Sequence, residues 1–225
     1  MKIIKEVCVE TYREALFAEQ LGADRIELCS SLDQDGLTPK RKTIKILSKE
    51  LTIPLKVMIR PRPGNFNYNE TELVQMDSDI LFCKSQGIKE VVLGVLKEEQ
   101  CVDLISLERL LHSSHPMKIT FHKAIDETVN IFEEIEKLVN YKNITSILTS
   151  GKGKFVLDNK DLLIKIVHAR IEEIIDLSFK DFDYISLIKN TKSILVFSGE
   201  GSKLLSKKSI YLKEEYNHFD DMSFF

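Results

Sequence analysis

The stretch Gly22-Ala-Asp-Arg-Ile-Glu-Leu-Cys29 constrains the fold most tightly. If extended, it puts Arg25, Glu27 and Cys29 on one face and Ile26 and Leu28 on the other. Earlier in the chain Glu6, Cys8 and Glu10 alternate in the same way with Val7 and Val9. Between the two strands, residues 12 to 21 carry Ala15, Leu16, Phe17 and Ala18 at helical spacing and stop at Gly22. A strand, helix and strand in that order call for parallel pairing. Parallel sheets are covered on both faces. The charged and sulfur-bearing row is therefore expected inside, where each charge needs a partner or solvent.

The unit then recurs. Residues 43 to 51 read as a helix, 55 to 60 as a strand, 70 to 85 as a helix and 90 to 96 as an apolar strand buried on both faces. Helices at 103 to 111 and 128 to 139 alternate with strands at 118 to 122 and 144 to 149. Two weaker units follow, with helices at 161 to 169 and 181 to 189 and strands at 172 to 177 and 193 to 197. Eight strands spaced by about 25 to 30 residues match a closed (β/α)8 TIM barrel. No G-x-G-x-x-G follows the first strand, which favours the barrel over a doubly wound open sheet. The expected organisation is a single α/β barrel domain over 1–201 with degenerate last units. Residues 202–225 are expected as a short C-terminal tail, packed on the barrel or frayed.

Bulk properties exclude several classes. The net charge of −3 is spread along the 225 residues, so no basic stripe points to nucleic acid or an anionic membrane. No apolar run approaches the roughly 18 residues of a membrane span, and the N-terminus lacks a secretory pattern. A cytoplasmic protein is expected. Its four cysteines lack C-x-x-C spacing, which argues against a disulfide framework or a four-thiolate zinc site.

In such barrels chemistry sits at the C-terminal strand ends. Arg60-Pro-Arg62-Pro-Gly64 reads as a preorganised anion site for carboxylate or phosphate, or as two arginines that neutralise internal acids. His122, just past a strand, reads as a general acid/base, a metal ligand or a hydrogen-bonded structural residue. Glu27 is expected to form an internal salt bridge beside Arg25, the other reading being a carboxyl with a tuned pKa. Cys8 and Cys29 share parity on adjacent strands. They either offer two soft ligands for Cu(I) or Zn(II), or fill space as buried thiols. No organic cofactor motif occurs.

Six ordered blocks carry a family resemblance: Glu6-Val-Cys-Val-Glu10, Gly22-Ala-Asp-Arg-Ile-Glu-Leu-Cys29, Asp35-Gly-Leu-Thr-Pro39, Val57-Met-Ile-Arg-Pro-Arg62, Thr120-Phe-His-Lys-Ala-Ile-Asp126 and Ile147-Leu-Thr-Ser-Gly151. Together they resemble the copper homeostasis protein CutC family. The resemblance implies a single-domain (β/α)8 barrel, a cytoplasmic homo-oligomer expected as a dimer, and a Cu(I) site at Cys8 and Cys29. The alternative is a barrel enzyme acting on a small anionic substrate, with Arg60 and Arg62 as clamp and Glu27 or His122 as acid/base. Departures include Asp35 where the family usually has the first of two glycines, Lys40 for serine and Lys123 for arginine. The glycine-rich turn after strand seven is replaced around residues 174 to 179, and the histidine near the end of strand eight around 197 to 199. Both changes count against a phosphate-type site there.

Overall fold

The computed structural model describes residues 4–153 continuously, positions 159, 162, 165 and 166, and two short strands further on. The chain divides into two compact units, and the first, Ile4–Phe155, holds a six-stranded parallel sheet. Its strands are β1 (Glu6–Val9), β2 (Arg25–Leu28), β3 (Leu55–Met58), β4 (Glu90–Leu93), β5 (Lys118–Phe121) and β6 (Ile144–Ile147). Helices α1 (Tyr12–Gln20), α2 (Arg41–Glu50), α3 (Glu70–Ser85), α4 (Leu104–Ser114) and α5 (Ile131–Val139) connect them in alternation.

The strand order is β1-β2-β3-β4-β5-β6 with every pair parallel. A doubly wound sheet reverses direction at a switch point, and these strands never do. Right-handed crossovers that always step the same way put every helix on one face, as in a TIM barrel. That face is apolar: Ile26, Leu28, Val57, Val91, Leu93, Ile119 and Phe121 are all fully buried. Ala15, Ala18, Ile44, Leu47, Met76, Ile80, Leu107, Leu110 and Leu138 are among the buried residues of the helices. The opposite parity, with Glu27, Lys56, Met58, Val92 and Thr120, forms the inner face.

Local signals fix the helix ends. Thr11 and Glu14 form a capping box at the start of α1, and Asn69 and Glu72 form another at α3. Gly22 and Gly87, at φ +85° and +80°, provide the left-handed turns after those helices. Helix α5 begins at Ile131, later than the expected 128, because Lys123–Glu127 winds into a 3-10 turn and Asn130 caps the helix instead.

The second unit shows a parallel pair, β7 (Leu195–Phe197) with β8 (Met222–Phe224). Strand β7 falls within the expected last strand, and β8 lies in the segment expected as a tail. Of the helix expected at 161–169, positions 162, 165 and 166 are described and are helical; the helix at 181–189, the strand at 172–177 and the boundary at 201 lie outside the residues whose structure is described.

Candidate functional site

The inner face is layered. At its lower level Lys56, 1% exposed, donates from Nζ to Thr120 Oγ1 at 2.8 Å and pairs with Glu90 at 2.8 Å and Glu6 at 3.1 Å. Arg25 also pairs with Glu6 and reaches Glu90 at 3.7 Å. This use of Arg25 corrects the salt bridge expected with Glu27. Strand register puts Glu6 opposite Arg25, whereas Glu27 stands opposite Cys8 and Lys56. Glu27 makes no ion pair among the described residues and faces two thiols instead.

Those thiols form the next level. The sulfurs of Cys8 and Cys29 are 3.5 Å apart, and each thiol points a donor at Glu27 Oε1, at 3.8 and 3.7 Å. Cys8, Glu27 and Cys29 are the one group of potential metal ligands brought together among the described residues. Glu27 and Cys29 are buried while Cys8 is exposed, which leaves the pair open on one side. Burial raises the Glu27 carboxyl above its usual range, helped by the charge of Glu6 and opposed by Lys56. The Cys29 thiol is also pushed up, first by its hydrogen bond with Cys8, then by burial and by the nearby negative charges. The result is a protonated Cys29 thiol that a soft cation must deprotonate to enter. An ion about 2.3 Å from both sulfurs would see them at an angle of about 100°, and a linear site would need them about 4.6 Å apart. The positions found suit a bent site directly and a linear one after a shift of about 1 Å.

The upper level lies at the strand ends. Arg60 is 3% exposed and donates from Nη1 to the carbonyls of Gln34 and Gly36 and from Nη2 to that of Gly64. Its guanidinium lies 4.7 Å from the Phe66 ring centre. Arg62 does not join it. Its Nε–H goes to Glu72, Nη1 to the carbonyls of Pro63 and Asn65, and Nη2 to Asn65 Oδ1 and the carbonyl of Asn67. All five donors of Arg62 are used within its own loop and α3, so the expected two-arginine clamp does not form.

His122 is buried, its Nδ1 accepts the Ala124 N–H at 3.2 Å, and Nε2 has no partner among the described residues. Burial, followed by the charge of Arg60, lowers its pKa to about 3, so the ring is neutral at physiological pH. Asp126 accepts from Thr149 Oγ1, from the backbone and hydroxyl of Ser150 and from the Lys152 N–H, and so ties the turn after β6 to the 3-10 segment.

Two glycines allow this packing. A Cβ on Gly94 would meet His122 Nδ1 at 2.6 Å and Cε1 at 2.7 Å. Because His122 is buried and cannot yield, Gly94→Ala is expected to cost about 1–3 kcal/mol, measured by urea denaturation. Gly36, at φ +82°, lets the loop pass over Cys29, where a Cβ would lie 3.3 Å from the sulfur. Asp35 beside it holds φ +63°. An aspartate tolerates this left-handed conformation better than most residues.

The residues that the sequence did not single out are Lys56, Glu90, Thr120, Phe66 and Gly94. Parity identifies the first three, since Lys56 aligns with Met58 and Arg60, Glu90 with Val92, and Thr120 with His122.

Six parallel strands in sequential order, with polar side chains at their ends and two thiols beside a carboxyl, define a TIM-barrel-type protein with a paired-thiol cluster. The CutC family model matches residues 3–178. A CutC family protein of Glaesserella parasuis is 36% identical over 202 residues, covering 88% of this chain and 83% of its own length. The human copper homeostasis protein cutC homolog is 35% identical over 164 residues, or 73% of this chain and 60% of its own. The structure of a Streptococcus agalactiae CutC protein superposes with a TM-score of 0.70 at 31% identity, covering 74% of this chain and 82% of that one. The chain belongs to the CutC family. No helix among the described residues is long and apolar enough to cross a membrane.

Proposed function

We propose that this chain acts in copper homeostasis and holds Cu(I) between Cys8 and Cys29, with Glu27 orienting the two sulfurs. The observation that carries this reading is the 3.5 Å separation of the two sulfurs on neighbouring strands. Thiolates are soft ligands and favour Cu(I) over hard cations. The same donors would also accept Zn(II). Membership of a family whose human relative is named for copper homeostasis favours copper. Glu27 accepts from both thiols and thereby fixes their rotamers before the ion arrives. The exposed side of Cys8 gives the ion an entry route.

Anaerobic competition of the protein against a chromophoric Cu(I) chelator tests the reading. One equivalent is expected to bind, and Cys8→Ser and Cys29→Ser are each expected to weaken it by at least about 100-fold. Wild-type affinity and stoichiometry in both variants would overturn the reading.

A further inference from the structure

The cavity that begins at Cys8 and Cys29 extends to Arg60 and His122 and has a volume of about 580 Å3. An ion fills a small fraction of that, and about 300–1,000 Å3 is the size of a site for a small organic molecule. Two buried groups in its wall have unmet needs. Arg25, Arg41, Arg62 and Arg109 each sit against a carboxylate. Arg60, at 3% exposure, has carbonyl partners and no carboxylate among the described residues. The nearby Tyr68 does not supply the missing charge, because burial pushes its hydroxyl up to about 12 and it stays neutral. His122, whose Nδ1 accepts a backbone N–H, carries its proton on Nε2, and that buried donor has no acceptor among the described residues. A buried cation with no carboxylate in contact among the described residues, the Glu127 charge acting on it only at longer range, and a buried N–H without an acceptor there both gain when a ligand meets them.

We propose that this cavity binds a small organic monocarboxylate, its carboxylate received by Arg60 and by His122 Nε2–H and its apolar body lying against Met58 and Phe66. Both polar groups pack on Phe66, the guanidinium 4.7 Å and the imidazole 4.8 Å from its ring centre, and all three line the same cavity. The rest of the wall sets the charge of the ligand. Lys123 and Lys152 accompany Arg60, and Glu27, Asp35, Asp126 and Glu127 oppose them. With four acids to three cations the wall as a whole repels anions, so the attraction is local to Arg60 and the His122 N–H, and a phosphate dianion meets more repulsion than a monocarboxylate does.

The test uses the full, metal-free chain at constant ionic strength, titrated with butyrate and with inorganic phosphate. Nitrogen-15 NMR reads the His122 Nε2–H, and calorimetry reads affinity. Butyrate is expected to move that resonance saturably and to bind at least about tenfold tighter than phosphate. His122→Asn keeps an oxygen acceptor for the Ala124 N–H but loses the Nε2 donor, and should weaken butyrate by about tenfold. The proposal is overturned by an unmoved Nε2–H resonance, by phosphate binding the tighter of the two, or by undiminished butyrate affinity in His122→Asn. If that variant does not fold, the wild-type resonance decides alone. Because copper is absent throughout, the result is separate from that of the Cu(I) titration.

Discussion

Lys56→Ala is expected to lose about 3–5 kcal/mol of folding stability, because it breaks an enclosed ion network instead of trimming the surface. The ammonium group is held between Glu6 at 3.1 Å, Glu90 at 2.8 Å and Thr120 at 2.8 Å, on a side chain that is 2% exposed. Without it, Arg25 is the one cation left to both carboxylates among the described residues, and the space of the lysine stem becomes a void. Lys56→Met separates the two causes. It refills the void but leaves the carboxylates under-compensated, so it should recover only the packing part of the loss. Urea unfolding of the three proteins gives the comparison, with an unchanged m-value as the sign that stability alone has moved. A loss below about 1 kcal/mol for Lys56→Ala, the size of an ordinary substitution, would mean that the network does not hold the barrel interior together.

The second large effect is acid sensitivity centred on His122. Its pKa is lowered from the ordinary 6.5 to about 3 by burial and by Arg60. Between those values the unfolded chain binds a proton that the folded chain refuses. The stabilisation is therefore complete above pH 6.5 and is lost as the pH falls toward 3. Each pH unit in that window removes about 1.4 kcal/mol, or about 3 kcal/mol between pH 6.5 and 4. Carboxylates also titrate in acid, so the decisive quantity is the difference between wild type and His122→Asn. The variant should be less stable at pH 7 and should show a shallower decline from pH 6.5 to 4. Equal slopes would mean that His122 takes up its proton while still folded.

Both effects arise from a register that was largely legible in the sequence. Alternation in residues 25 to 29 assigned Arg25, Glu27 and Cys29 to one face, and the matching run around Cys8 assigned the adjacent strand. Cys8 and Cys29 accordingly meet, and the succession of strands and helices from Glu6 to Ile147 follows the expected order. Parity could not say which charge meets which, because that depends on how far each strand is staggered against the next. Arg25 is level with Glu6 on β1 and close to Glu90 two strands away, so Glu27 is left to the thiols. Glu90 opens a strand that reads as continuously apolar, and Lys56 is a single cation in a run of hydrophobic residues. Neither announces a partner in the sequence. The Arg60–Arg62 pair failed as a clamp for a related reason. The prolines set the course of the loop, but the capping glutamate of α3, Glu72, and the loop carbonyls capture Arg62. Only folded coordinates reveal that competition.

X-ray absorption at the copper edge, on protein carrying one Cu(I) equivalent, examines the dithiol centre most directly. Two sulfur neighbours at about 2.3 Å are expected, falling to one in either Cys8→Ser or Cys29→Ser. A copper shell of nitrogen and oxygen alone, or a sulfur count that neither substitution changes, would contradict the centre described here.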